Sequence, residues 1–299
     1  MQKILITGSN GFVAYYLIKQ LLDHPFQLII TGKGANTLPL EGNNLVFETL
    51  DFTNEENVKM VFGKYRPDVI VHCGAMSKPD DCEQNKENAF RTNVTGTMYL
   101  LQQAALLKSF FIFLSTDFVF DGERGMYKEE DAAGPVNYYG QTKLLAEGEV
   151  RNYAYEWSIV RTVLVYGKTF SSRQNILTNV AMGLKEGKEL KIFNDQVRTP
   201  TYVEDLAKGI VSIILKKAQG IYHLSGEDVL TPYQMAVAVA EFLHFDSSVI
   251  KKVTESELKQ PARRPLKTGF DLTKAKRELN YKTISFKEGL KKTFESWSL

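Results

Sequence analysis

The chain has 299 residues, 43% hydrophobic and 24% charged, enough apolar material for one large domain or two modest ones. Its 37 Lys and Arg nearly balance 35 Asp and Glu, for a formal charge of +2. With the signs interspersed and a pI near 8.3, no field argues for nucleic acid or an anionic membrane as partner. Cys73 and Cys82 form neither a zinc-ligand pattern nor a disulfide framework, so both read as free thiols. The N-terminus, MQKILITGSNGF, has glycines where a leader would be cleaved, and no run of about 18 apolar residues occurs. A soluble, cytoplasmic protein is expected. His24, His72, His223 and His244 share no ligand spacing, so no metal site is expected and each reads as a surface or internally satisfied histidine.

Taken in chain order, short apolar, β-branched runs at residues 3–6, 28–31, 46–50, 69–72, 110–115 and 158–162 read as strands. Helix-length amphipathic segments at 12–22, 55–64, 87–107 and 139–152 lie between them. Continuous apolar strands alternating with helices predict an α/β fold with a doubly wound parallel sheet covered on both faces. Beyond Tyr166 the pattern becomes irregular, with a helix near 174–185 and a strand at 190–193. One further helix start is well marked, by Thr231 as N-cap, Pro232 at the first position and Gln234 closing a capping box. The last third therefore reads as a smaller lobe packed on the first.

The first strand runs into Thr7-Gly8-Ser9-Asn10-Gly11-Phe12-Val13-Ala14, and a helix follows at once. Glycines there permit a tight turn and close approach of backbone to a pyrophosphate, and the helix start offers free N–H groups to the anion. Placement on the first strand of a βαβ unit makes this a dinucleotide site far more specific than a lone glycine pattern. Gly8, Asn10, Gly11, Phe12 and Val13 are the candidate contacts. The acidic residue that normally ends the second strand and holds the ribose 2′-OH is replaced by Gly32, with Lys33 next. A cation there favours a 2′-phosphate, hence NADP with NADPH preferred over NADH; the alternative is a solvated loop lysine.

Tyr139 and Lys143 are four apart on one helix face. A phenol titrates near 10, too high for work at neutrality, and a lysine cation with an oxidised nicotinamide would pull it down. Tyr139 would then protonate a carbonyl oxygen as hydride reaches its carbon, with the Thr116 hydroxyl on the same oxygen. Tyr15 and Lys19 repeat the spacing, but they follow the glycine loop, whereas Tyr139 follows the fifth strand near the ligand-binding carboxyl ends.

These residues resemble a family. Thr7–Ala14, STDFVFDG at 115–122, YGQTK at 139–143 and Arg161-Thr162…Val165-Tyr166-Gly167 look like the dTDP-4-dehydrorhamnose reductases among the extended short-chain dehydrogenases. Asn93–Thr97, Pro200–Ala207, Gly220–Gly226 and Arg264-Pro265 before Phe270-Asp271-Leu272 extend the likeness over nearly the whole chain. The resemblance implies an NAD(P)-binding Rossmann domain at 1–165, with a return segment near 195–220, and a substrate-binding lobe at 166–299. It implies that Thr116, Tyr139 and Lys143 are catalytic, that Asp51 and Phe52 lie at the adenine, and that Cys73, Gly74 and Ala75 line the cofactor. It further implies that Asn93 braces the active-site lysine through backbone or water. The substrate would be a nucleotide-linked 4-keto-deoxysugar, contacted by Thr116, Phe118, Leu164 and Arg198.

Two departures concern that sugar: Phe118 stands where the family usually has tyrosine, and Leu164 where tryptophan is common. A 4,6-dehydratase or epimerase on the same fold would need an acid–base pair beside the threonine, and Asp117-Phe118 supplies only half of it. The chain is also similar to the regulatory beta subunit of methionine adenosyltransferase, notably at Gln196–Thr201, so a non-catalytic binding protein is the alternative from another class. The residues leave the sugar and the oligomeric state open, a homodimer included.

Overall fold

A computed structural model of the chain describes residues 1–170, 174–295 and 297. The elements run β1 (Gln2–Thr7), α1 (Phe12–Leu21), β2 (Phe26–Gly32), β3 (Leu45–Thr49), α2 (Glu55–Tyr65), β4 (Val69–His72), α3 (Pro79–Gln84), α4 (Lys86–Phe90) and α5 (Gly96–Leu107). There follow β5 (Phe110–Thr116), α6 (Tyr138–Arg151), β6 (Trp157–Thr162), β7 (Val165–Tyr166), α7 (Ile176–Lys185), β8 (Leu190–Phe193), β9 (Thr201–Tyr202) and α8 (Val203–Lys216). The chain closes with β10 (Gly220–His223), α9 (Pro232–Phe242), β11 (Ile250–Val253), α10 (Thr273–Leu279) and α11 (Phe286–Phe294).

Seven strands form the main sheet in the order β10-β6-β5-β4-β1-β2-β3, every pair parallel. Alternate residues of each strand feed opposite faces. Ile4, Ile6, Leu28, Ile30, Val69, Val71, Phe110 and Ile112 join the core under α1 and α8. Leu5, Ile29, Ile70, Phe111, Phe113 and Ile159 join a second core with α2 and α5. Both faces are buried, which is why the strands read as unbroken apolar runs. A third cluster, away from the sheet, gathers α7, α9 and α11 around Leu177, Met235 and Phe286.

Most boundaries fall where the residues put them. Thr231 accepts from Gln234 N while Gln234 Oε1 accepts from Thr231 N, the capping box expected. The helix expected at 174–185 begins at Ile176, because Asn175 is its cap and takes the Leu177 and Thr178 amides. The strand expected at 46–50 lies one residue earlier, at β3. A larger correction concerns 87–107, expected as one helix. A π turn at Arg91–Thr95 separates α4 from α5 and turns the Asn93 and Val94 side chains into the interior. Such single-turn bulges have no periodic signal in sequence and concentrate at functional sites. The short α3 also went unread. Among the described residues no helix is long and apolar enough to cross a membrane.

A buried ion pair fixes α6 against the sheet. Arg161 on β6 donates from Nε and Nη2 to the two Glu147 oxygens on α6, at 2.9 and 2.7 Å, and Ser115 Oγ adds a 2.7 Å bond to Oε1. The side chains are 1% and 0% exposed. Removing one member of such a pair strands a buried charge, at a cost of roughly 3–5 kcal/mol. Arg161→Met is therefore expected to lose about that much in denaturant unfolding, and adding Glu147→Leu to recover most of it. A single variant as stable as wild type would show that the pair does not hold the helix.

Candidate active site

Adjacent strands end in polar residues at one edge of the sheet: Thr31, Thr7 and His72 share a register, as do Thr116 and Thr162 on β5 and β6. The sheet order reverses direction between β1 and β4, and ligands of open α/β sheets bind at such a switch point. Two loops meet there. A Cβ on Gly8, whose φ is +67°, would lie 2.8 Å from Gly74 Cα, so the turn after β1 and the turn after β4 touch backbone to backbone. No side chain caps the start of α1, which leaves the N-terminal amides from Phe12 onward facing outward.

The catalytic candidates are brought together. Thr116 ends β5, and Tyr139 and Lys143 occupy one face of α6. Asn137, which the sequence reading passed over, caps α6 by accepting from Gly140 N at 2.9 Å. Gly140 is required by the close approach: a Cβ there would collide with the Phe118 carbonyl oxygen. The Phe118 ring lies edge-on to the Tyr139 ring at 5.9 Å.

Thr116 Oγ1 accepts from Phe118 N and donates to Asp117 Oδ1 at 3.1 Å, so its proton points at a carboxylate. Asp117 is buried, takes a second hydrogen bond from Thr268, and is pushed up by burial, with the Arg198 charge opposing. Lys143 is 2% exposed. Its Nζ donates to the Leu114 carbonyl at 2.7 Å and sits 3.8 Å over the Phe113 ring. Burial pulls it down to about 7, with Glu147 the main opposing charge. Burial also raises the Tyr139 phenol, Asp117 adding to this and Thr116 opposing it. The protein's own groups therefore keep Tyr139 protonated at neutral pH.

The remaining candidates spread along the same edge. Asn10 donates to Ala35 O and accepts from Thr37 N, organising the loop after β2. Lys33 is ion-paired to Asp51 at 2.9 Å. The Phe52 ring is wedged over Gly74 and Gly96 and against His72. Cys73, a free thiol pushed up to about 12 by burial, precedes Gly74 and the half-buried Ala75. Asn93 bonds to Met76 N, Met76 O and Thr142 Oγ1, so it braces the residue beside Lys143.

Arg198 is turned to other work than expected. Its guanidinium donates to the carbonyls of Val197, Leu266 and Pro265 and to Gln196 Oε1, within 6.0 Å of the Phe118 ring. Leu164 has a left-handed backbone, φ +34°, and packs between the first and third clusters. Sequence reading also missed a strap, residues 262–268, that crosses the site. Arg264 grips Asp80 with two 2.8 Å bonds, and Asn137 Nδ2 donates to Arg263 O. The Arg-Pro pair was its only signal. Among the described residues no group of three or more His, Cys, Asp or Glu side chains is placed to hold a metal.

The lysine's depressed value has a thermodynamic consequence. Between about pH 7 and the usual 10.5 the unfolded chain binds a proton the folded chain has released, so stability falls as pH drops through that window. Lys143→Met removes this penalty. Its melting temperature should exceed wild type at and below about pH 7, by roughly 2–4 °C per kcal/mol regained, with the gap closing above about pH 10.5. A gap that does not depend on pH would contradict the depressed value.

Known proteins resemble the whole of this arrangement. Methionine adenosyltransferase 2 subunit beta of Danio rerio is 30% identical over 270 residues, covering 88% of this chain and 81% of its own. A dTDP-4-dehydrorhamnose reductase of Clostridium acetobutylicum superposes with a TM-score of 0.87 at 29% identity, over 98% of this chain and 99% of the other. The dTDP-4-dehydrorhamnose reductase of Bacillus anthracis, solved in complex with NADP, gives 0.85 at 27% identity, over 99% and 100%. The family described as the RmlD substrate binding domain matches residues 1–298, and the chain belongs to that family.

Proposed function

We propose that this protein reduces the 4-keto group of a nucleotide-linked deoxysugar with a nicotinamide cofactor, NADPH in preference to NADH. The observation that carries the reading is the convergence of Thr116, Tyr139 and Lys143 at the carboxyl edge of the sheet, beside the glycine loop. Membership of the RmlD family and the likeness to two dTDP-4-dehydrorhamnose reductases, one solved with NADP, support it. Residues 1–165, with the return through α8 and β10, would bind the cofactor, and the rest of 166–299 the sugar nucleotide.

The residues fit a dinucleotide. Gly8 and Gly74 are held so close that side chains are excluded from the cradle, and the uncapped start of α1 suits a pyrophosphate. Gly8, Asn10, Gly11, Phe12 and Val13 would hold the phosphates, Lys33 and Asp51 the adenosine end, and Cys73, Gly74 and Ala75 the nicotinamide side. When bound, the cofactor supplies a hydride to the carbonyl carbon. Tyr139, protonated at neutral pH, gives its phenolic proton to the carbonyl oxygen. The Thr116 hydroxyl turns to the same oxygen at the expense of its 3.1 Å bond to Asp117. Lys143, titrating near 7, supports the phenolate as a cation. Phe118 and Leu164 offer the sugar no hydroxyl, so selection among 4-keto sugars rests on other groups and is broad.

A second reading, a binding subunit such as the one that accompanies methionine adenosyltransferase, draws on the Danio rerio relative. Turnover separates the two. The wild type is expected to oxidise NADPH with a dTDP-linked 4-keto-6-deoxysugar, and Tyr139→Phe to lose on the order of 10²–10⁴ in kcat while binding NADPH as before. Equal rates in both proteins, or none in either, would sink the reductase reading.

The cofactor preference is a separate matter. Lys33 already faces Asp51, so its contribution to a 2′-phosphate is that of a partly exposed ion pair, about 1 kcal/mol. Lys33→Ala should lower NADPH affinity roughly fivefold and leave NADH affinity unchanged, as titration of both will show. Parallel losses for the two cofactors would remove Lys33 from the ribose site.

A further inference from the structure

His72, the last residue of β4, is 1% exposed and lies between β1 and α5 without any place in the proposed chemistry. Its Nδ1 is 2.6 Å from Thr7 Oγ1, and its Nε2 is 3.1 Å from Thr97 Oγ1. The neighbours decide where the protons are. Thr97 Oγ1 donates to the Asn93 carbonyl at 2.8 Å, so it can only accept from His72. The ring proton is therefore on Nε2. A neutral ring then leaves Nδ1 bare, and Thr7 donates to it while accepting the Gly74 N–H at 3.2 Å. Burial, with Lys143 nearby, pulls the imidazole down to about 3, so the ring is neutral at any working pH.

The chain continues past Asn93. Its Oδ1 accepts from Met76 N, which assigns the amide, and its Nδ2 donates to Met76 O and to Thr142 Oγ1, both at 3.0 Å. Thr142 Oγ1 in turn donates a hydrogen bond to the Tyr139 carbonyl at 2.8 Å. We propose that His72 is a positioning residue, locking the cofactor loop to the catalytic helix through two runs of hydrogen bonds joined at Asn93, one from the Gly74 amide to the Asn93 carbonyl and one from the Asn93 side chain to the Tyr139 carbonyl. The role rests on the reductase reading above. Gly74 sits in backbone contact with Gly8, so the position of Thr7 sets the cradle, while Asn93 and Thr142 set the start of α6. His72 is the rigid spacer between them. Phenylalanine would fill its volume and make neither bond.

The test uses the full chain. Nitrogen NMR of the imidazole is expected to report Nε2–H in wild type, unchanged from about pH 8 to about pH 5. Thr97→Val takes away the Nε2 acceptor, and the proton should move to Nδ1, where Thr7 Oγ1 can still accept. Thr7→Val should leave it on Nε2. Misplacement of reacting groups costs steeply, so His72→Phe and Thr97→Val are each expected to raise the NADPH Kd and lower kcat by on the order of tenfold, and Thr97→Ser to restore both. If His72→Phe does not fold, Thr97→Val carries the test alone. An Nδ1–H wild type overturns the proposal, as does a Thr97→Val protein that binds and turns over like wild type. A wild type that binds no NADPH removes the reductase reading and this role together, whereas NADPH binding equal in all variants removes this role only.

Discussion

The geometry of the site depends first on the Glu147–Arg161 pair. Glu147 lies one helical turn beyond Lys143, which itself lies one turn beyond Tyr139, so one face of α6 carries both candidate residues and their anchor in sequence. The anchor is bidentate and fully buried. It reaches β6 through Arg161 and β5 through Ser115, the residue before Thr116. A neutral contact would leave the helix free to slide by the fraction of an ångström that proton transfer does not tolerate. Two buried charges with matched hydrogen bonds allow one register only, which is the use of a buried ion pair for which specificity rather than stability is the argument. The same carboxylate is the main charge opposing the fall of Lys143, so position and protonation are set by one side chain.

The anchor at the far end of α6 is matched by close approach at its start. Gly140 lets the helix backbone come against the Phe118 carbonyl, and Asn137 caps the helix while tying Arg263 to it. These two contacts place the Tyr139 phenol within hydrogen-bonding reach of Thr116. Burial that raises both Tyr139 and Asp117 and lowers Lys143 is the electrostatic consequence. All three shifts favour neutral forms. The protein thus holds a proton on Tyr139, the donor of the proposed reaction, and would leave the developing charge to Lys143, which titrates near 7.

How much of this was legible follows from the range of each interaction. The parallel sheet, the glycine loop and the Thr116–Tyr139–Lys143 set were readable, since strand periodicity, glycine spacing and i,i+4 pairing are local. The capping box at Thr231 was readable for the same reason. Asn93 was singled out through family likeness, but the π turn that aims it inward leaves no trace in periodicity. Glu147, His72, Thr97 and Arg264 were not assigned roles, because the side chains they meet stand between 14 and 184 residues away. Arg198 was placed on the substrate by family likeness, yet its guanidinium donates to the carbonyls of Val197, Leu266 and Pro265 and to Gln196 Oε1. A buried arginine can be a scaffold for main chain as readily as a ligand for an anion.

That strap bears directly on how the proposed sugar substrate would be recognised. Residues 262–268 are fastened to the sheet side of the site at Asp80, Asn137 and Asp117, and to the opposite side through Arg198 and Val197. Thr268 and Thr116 bind the two oxygens of one carboxylate, so the Thr116 hydroxyl and the strap share one charge. When Thr116 turns from Asp117 toward a carbonyl oxygen, the freed carboxylate oxygen needs a new donor, since a buried unpaired acceptor costs about 1–3 kcal/mol. A sugar hydroxyl is the donor the proposed substrate carries. On the proposed reading, with Phe118 and Leu164 offering no hydroxyl, selection of the sugar would fall to this carboxylate and the strap that holds it.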